Sequence, residues 1–281
     1  MTLDDVRAFY SEEVQLAAPL RSRAVAEAFA RVPREAFLGR GPWQIGQPDL
    51  GMGATYLTTE DGDTRHIYHN VSVALDASRH LFNGQPATIG RWIDELEIRP
   101  GDGIFHLGCG TGYYTAILSE LAGPDGRVLA CEVDAGLAAQ AQANLAPYAN
   151  VSVHGGDGAA FDPGPCDVML INAGVTHPLP DWLQRLKEGG RIIVPLTVAF
   201  GETLGKGVVA KIVRQGERFS ARVIGMVVIY SSASARDAEI EKNLGKALPT
   251  GALMKLAGVR TDEHAEEETC ILHAPGVCLT R

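Results

Sequence analysis

The chain has no excess of basic charge. It carries 25 Lys and Arg against 34 Asp and Glu, a formal net charge of −9 at pH 7. That balance argues against nucleic acid as the bulk partner, because phosphate binding needs a basic face, and leaves room only for a local basic patch. Cysteine is scarce and scattered: Cys109, Cys131, Cys166, Cys270 and Cys278 are odd in number and form no CxxC pair. This spacing points to free thiols and away from a disulfide frame or a metal site. No apolar run is long enough to span a bilayer, which argues against a membrane partner. The opening stretch MTLDDVRAFYSEEV is acidic and polar. It lacks the basic and apolar regions of a secretory signal, so a cytoplasmic protein is expected. What remains is a chain of 281 residues with 46% hydrophobic content, enough for one large domain with extensions.

The chain is organised around residues 104–118, IFHLGCGTGYYTAIL. An apolar run ends in Gly108, Gly110 and Gly112, and a helical pattern opens at Tyr113, which reads as strand, tight turn, helix. Such a turn lets a ligand lie against bare backbone at a helix start. A dinucleotide fingerprint would place its third glycine where Tyr113 stands, which counts against an NAD-linked oxidoreductase. A second strand-like run, residues 127–133 (RVLACEV), ends at Glu132 and Val133. A carboxylate at such a strand tip can accept two hydrogen bonds from a ribose diol. A third run, residues 151–153, leads into GGDG, which contains Asp157 and Gly158. Three signals in register, each after a strand, point to a nucleoside-bearing cofactor.

Residues 1–38 read as two helical pieces broken near Pro19, with Leu20, Ala24, Ala28, Phe29 and Val32 at helical spacing until Pro33. Residues 39–63, rich in Gly, Pro, Asp and Thr, read as a long loop or lid. A short strand is expected around Val71 to Leu75, and a helix over 87–96. Downstream come a helix at 135–145, strands at 166–172 and 191–196, and a helix at 180–186. Strands alternating with helices at this pitch argue for a parallel α/β sheet covered on both faces. Residues 208–213 and 219–230 predict an antiparallel hairpin at the sheet edge. A helix is expected over 237–248, and the acidic run 262–268 reads as a solvated loop.

The GxGxG turn resembles the loop of class I methyltransferases that curls around the methionine part of S-adenosylmethionine. VPREAFL at 32–38 looks like a VPRExF segment of protein L-isoaspartate O-methyltransferases, and LKEGGRIIVPL at 186–196 is similar to that family's LKPGGRLVIPV. Asn83, Gly84, Gln85 and Pro86 stand where the family has a TISQP-like segment. The resemblance runs from about residue 32 to 196 and is dense from residue 98. It implies a Rossmann-like class I fold: a mostly parallel sheet, helices on both faces, an antiparallel edge hairpin, and N- and C-terminal extensions. The boundaries expected are 1–86 for the N-terminal helical and lid extension, 87–230 for the S-adenosylmethionine-binding domain and 231–281 for the C-terminal extension. The implied cofactor residues are His106, Gly108, Cys109, Gly110, Gly112, Glu132, Val133, Asp157, Gly158 and Asn172. Asn83, Gly84 and Gln85 fall in the catalytic segment, and Tyr68, Asn70 and His177 on the substrate side, with no metal.

The implied reaction is methylation of a carboxylate on a protein or peptide. A carboxylate is already ionised near neutral pH, so no general base is needed, and no Ser/His/Asp or Cys/His pairing is evident. Two positions depart from the family. Gly84 replaces a serine whose hydroxyl would hydrogen-bond the substrate, and His106 replaces an acidic residue. These departures leave three versions open: isoaspartyl repair, a relative that modifies an Asp side chain of a peptide, and a regulatory module that binds the cofactor without turnover.

Overall fold

The computed structural model describes residues 2–46, 56–274 and 276–281. Helix α1 (Leu3–Ala17) starts at a capping box: the Thr2 hydroxyl accepts from the Asp5 N–H, and the Asp5 carboxylate accepts from the Thr2 N–H at 2.8 Å. It buries Val6, Tyr10 and Val14, one turn apart. Helix α2 (Arg23–Arg31) ends just before Pro33, as its sequence requires. Within the stretch expected to be an irregular lid, two strands form, β1 (Gln44–Gly46) and β2 (Tyr56–Thr58). They join β3 (Ser72–Asp76) and β4 (Leu81–Phe82) in a sheet of order β2-β1-β3-β4. The loop reading is corrected there, because three-residue strands show no alternation to read. Residues 47–55 of that expected lid lie outside the described residues.

Helix α3 (Pro86–Glu95) precedes β5 (Gly103–Leu107), and α4 (Tyr113–Ala122) follows the glycine turn. Next come β6 (Arg127–Glu132) and α5 (Ala135–Leu145), whose first turn donates to the Asp134 side chain from Gly136 and Leu137 at 2.9 and 3.0 Å. β7 (Val151–Gly155), β8 (Cys166–Ile171), α6 (Pro180–Arg185) and β9 (Leu186–Phe200) complete the alternating part. The hairpin of β10 (Leu204–Gln215) and β11 (Arg218–Tyr230) is present, followed by α7 (Ala238–Ala247). Three short strands end the chain: β12 (Gly258–Arg260), β13 (Cys270–Ala274) and β14 (Val277–Thr280). No helix among the described residues is long and apolar enough to cross a membrane.

The chain divides into two compact units. The first holds Met1–Gly101, Cys109–Val128 and Asp134–Gly155. Its centre is Arg34, the only fully buried cation among its described residues. The Arg34 guanidinium donates to the carbonyls of Ile67 (2.5 Å), His69 (2.9 Å) and Val71 (2.7 Å). It also lies over the rings of Tyr10 and Tyr113 at 5.6 and 5.7 Å. A single planar fork thus satisfies three carbonyls of the turn before β3.

The second unit holds Asp102–Gly108, Leu129–Val133 and Gly156–Arg281. Its sheet runs β13-β14-β12-β11-β10-β9-β8-β5-β6. β5 and β9 both pair parallel to β8, with Leu170 opposite His106 and Ile193. From β9 outward the pairing is antiparallel. The sheet is therefore mixed, and its antiparallel part extends beyond the expected hairpin through the tail strands. Phe105, Met169, Ile171, Trp182, Ile192 and Leu279 belong to its buried core. His106 sits on β5 with no exposure, and burial drives its pKa down to about 3, so the ring is neutral.

Arg34→Leu leaves three backbone carbonyls without their donor and is expected to lower stability by about 3 kcal/mol or more, read by urea unfolding. Arg34→Lys recovers only part of this, because an ammonium lacks the fork. For His106 the folded pKa lies below the ordinary value of about 6.5, so the unfolded chain takes up the proton more readily. The neutral ring contributes its full stability above about pH 6.5, and this contribution falls away as pH drops towards 3. At about pH 5 the loss amounts to about 2 kcal/mol. Urea unfolding of wild type and His106→Asn across this range checks it: the variant should lack that share of the acid limb.

Candidate functional site

The site grows from the place where β5 runs out. Gly108 has φ +76°, and a Cβ there would stand 2.9 Å from the Asn172 carbonyl oxygen. Only glycine fits such a turn. Its N–H donates to the Cys131 carbonyl at 2.9 Å, while the Asn172 N–H donates to Leu107 at 2.8 Å and the Asn172 amide to Gly108 at 3.3 Å. One residue beyond Cys131 comes Glu132, whose side chain is mostly buried. Its own carbonyl accepts from the Gly156 N–H at 2.8 Å. Gly158 lies so close to β6 that a Cβ would be 2.8 Å from that of Cys131. In the second unit, then, the ends of β5, β6 and β8 and the turn at 156–158 are stitched into one shelf. His106, Gly108, Glu132, Asp157, Gly158 and Asn172 all belong to it, and Val133 leaves it exposed to solvent.

Asp157 is held from an unforeseen direction. One oxygen accepts both the Ala159 N–H at 2.9 Å and the Ser234 hydroxyl at 2.7 Å. Ser234 follows β11, far along the chain, and no local pattern marks it. His177, on the loop after β8, shares a 2.9 Å hydrogen bond with the Thr176 hydroxyl. Burial lowers its pKa against the opposing charge of Asp237, which favours the neutral ring at neutral pH.

The rest of the glycine turn lies in the first unit. Gly110 and Gly112 also have positive φ, +56° and +97°. The Gly112 N–H closes the turn on the Cys109 carbonyl at 2.9 Å, and a Cβ on Gly112 would strike Leu145 at 2.7 Å. Cys109 is buried, and its thiol lies 3.7 Å from the Gly110 carbonyl. The two tyrosines that open α4 both pack inward. Tyr113 bonds the Tyr10 hydroxyl at 3.0 Å, and Tyr114 donates to the Gly84 carbonyl at 3.0 Å.

Asn83, Gly84 and Gln85 lie just before α3. Asn83 is buried, and its side-chain oxygen has no hydrogen-bond partner among the described residues. Gln85 reaches the Asn70 carbonyl at 3.3 Å, and the Asn70 side chain accepts from the Ala87 N–H at 2.8 Å, capping α3 from outside the helix. Tyr68 lies apart from this group. Its buried hydroxyl donates to Glu35 and accepts from Arg7 (2.9 Å) and the Arg34 N–H (3.1 Å), so its polar atom is engaged within the protein.

Comparison with known proteins bears on the fold and the family. A family model described as protein-L-isoaspartate(D-aspartate) O-methyltransferase matches residues 60–231. A protein-L-isoaspartate O-methyltransferase of Methylorubrum populi is 30% identical over 229 residues, covering 80% of this chain and 93% of that protein. One from Ignicoccus hospitalis is 28% identical, covering 71% and 84%. Among solved structures, a protein-L-isoaspartate O-methyltransferase superposes with a TM-score of 0.62 at 20% identity, covering 86% of this chain and 70% of that one. A Plasmodium falciparum structure described by the same activity, in complex with S-adenosyl-L-homocysteine, gives 0.60 at 13% identity, covering 80% and 97%. At those identities the superpositions speak for the fold, and the family match speaks for descent. The chain belongs to the protein-L-isoaspartate(D-aspartate) O-methyltransferase family.

Proposed function

We propose that the protein transfers a methyl group from S-adenosylmethionine to a carboxylate of a protein or peptide. The observation that carries this reading is the Glu132 carboxylate at the tip of β6, one residue past the carbonyl that receives the Gly108 N–H. The cradle fits the cofactor chemically: backbone too close to Asn172 for any Cβ, beside an acceptor suited to a ribose diol. In this reading Gly108, Cys109, Gly110 and Gly112 offer main chain to the amino-acid part, and Glu132 and Val133 take the sugar. Asp157 and Gly158 take the base side, with His106 and Asn172 behind the turn.

When bound, the cofactor supplies an electrophilic methyl carbon. The protein's task is to orient an acceptor oxygen and exclude water. We assign Gln85 and Asn70 to bracing the segment 83–85, and Tyr68 to bracing α1 and the turn at Arg34. None of the five cysteines is in a disulfide, which suits a reducing cytoplasm.

Gly84 bears on which carboxylate is taken. Its φ is +87°, and a Cβ would meet Ile89 at 3.3 Å and Tyr114 at 3.4 Å. The segment is therefore built for glycine, and the absent hydroxyl cannot be restored without strain. This favours a peptide Asp side chain over isoaspartyl repair. Incorporation of labelled methyl into an isoaspartyl peptide and its normal Asp counterpart tests the reading. A base-labile ester in the normal peptide is expected, ester only in the isoaspartyl peptide would reverse the preference, and ester in neither would overturn the enzymatic reading. Tight S-adenosylhomocysteine binding without turnover would leave a regulatory module.

Glu132→Ala is expected to weaken S-adenosylhomocysteine binding about 10- to 100-fold by calorimetry, the worth of hydrogen bonds to a charged acceptor. Gly84→Ser should cost about 1–2 kcal/mol in urea unfolding, because an L-residue is held in a left-handed conformation, and should confer no isoaspartyl turnover.

A further inference from the structure

The outer edge of the second unit's sheet carries a group of side chains that methyl transfer does not use. β13 and β14 form a hairpin in which His273 lies opposite Cys278, and directly opposed residues share one face. Cys270 stands three residues before His273, so strict alternation would send it to the other face. The register slips between Cys270 and Leu272, however. A bulge of this kind re-aims one side chain, and here it turns Cys270 towards His273 and Cys278. The loop between β12 and β13 adds His264. The ligand atoms of His264, Cys270, His273 and Cys278 all lie within 4.8 Å of one another.

The surroundings are arranged as a metal's outer shell would be. The Arg260 guanidinium pins the loop by pairing with Asp262 at 2.6 Å and Glu267 at 3.3 Å. His264 is almost entirely buried, and its Nδ1 meets the Asp262 carbonyl at 2.9 Å. A donor at Nδ1 fixes the tautomer and leaves the Nε2 lone pair facing Cys270 Sγ, 3.7 Å away. The Glu267 N–H donates to that sulfur at 3.3 Å, a contact that stabilises a thiolate. His273 Nδ1 is buried with no hydrogen-bond partner among the described residues. Buried ring nitrogens are seldom left so, and a bound ion is one of the standard reasons.

We propose that His264, Cys270, His273 and Cys278 bind a structural zinc ion. Zn–S bonds of about 2.3 Å and Zn–N bonds of about 2.0–2.1 Å in a tetrahedron set the ligand atoms about 3.3–3.8 Å apart. The Cys270–His264 pair already has that spacing, and the widest separations close by about 1 Å of side-chain rotation. Binding forms two Zn–S and two Zn–N bonds and releases both thiol protons to solvent, so the dication and two thiolates leave a neutral centre. Four protein ligands leave no open position, which makes the ion structural and not catalytic. It fastens the acidic loop onto an edge hairpin whose outer strand is otherwise open to pairing with other chains. The site is independent of the methyltransferase reading, since none of its residues lies on the cofactor shelf.

Metal analysis of the full chain, purified without chelator and dialysed, is expected to find one zinc per chain. Cobalt replacement should give the intense visible bands of a tetrahedral site together with thiolate-to-cobalt charge transfer. Cys270→Ser and His273→Ala should each weaken zinc more than about 100-fold in competition with a chromophoric chelator, beyond the ~10–100-fold that outer-shell changes cost. Should either variant fail to fold, X-ray absorption on the wild-type protein decides, with two sulfur and two nitrogen neighbours expected. Zinc well below stoichiometry, a six-coordinate cobalt spectrum, affinity unmoved by both substitutions, or a Cys270–Cys278 disulfide in fresh protein would each overturn the proposal.

Discussion

A single backbone hydrogen bond, from the Gly108 N–H to the Cys131 carbonyl, sets the geometry on which the shelf at the ends of β5, β6 and β8 depends. It forces the chain leaving β5 to turn tightly across the end of β6. The turn in turn requires a left-handed residue packed against Asn172. Lengthening it by a side chain would part the strand ends that carry Glu132 and Asn172. The second contact, from Gly156 to the Glu132 carbonyl, ties in the following turn and brings Asp157 beside Ser234. The tail after β11 is thereby coupled to the shelf through a hydroxyl as well as through the hydrophobic core they share.

The first unit is governed by a buried cation instead. Arg34 holds three carbonyls of residues 67–71 and lies against two tyrosine rings. Three hydrogen bonds to carbonyls offset part of the cost of burying this charge, while its Nε has no hydrogen-bond partner among the described residues. Tyr68 is drawn into bonds with Arg7 and Glu35, and Asn70 into capping α3. Of the residues that family resemblance places on the substrate side, Asn70 thus braces the segment 83–85 and Tyr68 the turn at Arg34. Gly84, strained for any other residue and bonded through its carbonyl to Tyr114, is shaped by the same packing.

Electrostatics are sparing at the shelf. His106 is kept neutral by burial, so Glu132 is not offset by a cation on β5. The far edge of the sheet carries the opposite device. There two thiols and two imidazoles converge, a concentration of soft ligands beside a hairpin whose Leu272, Val277 and Leu279 are buried in the core.

The sequence by itself determined the order of elements from α3 to α7, the glycine turn and the strand-tip acid. Each rests on local rules: apolar periodicity over strands such as residues 166–171, Pro33 as a helix stop, and positive φ at Gly108. It also marked the hairpin of β10 and β11 through its turn cluster. Tertiary structure alone decided the strands within residues 39–63, the reach of the antiparallel edge, the engagement of Tyr68, and the contact of Ser234 with Asp157. It alone turned His264, Cys270, His273 and Cys278 towards one point. Pairings of that kind link residues distant in the chain or depend on a register slip, and neither leaves a trace in local spacing. A strand of three residues is likewise held by its neighbours and not by its own pattern, because its few backbone bonds are stable only once a partner strand is in place.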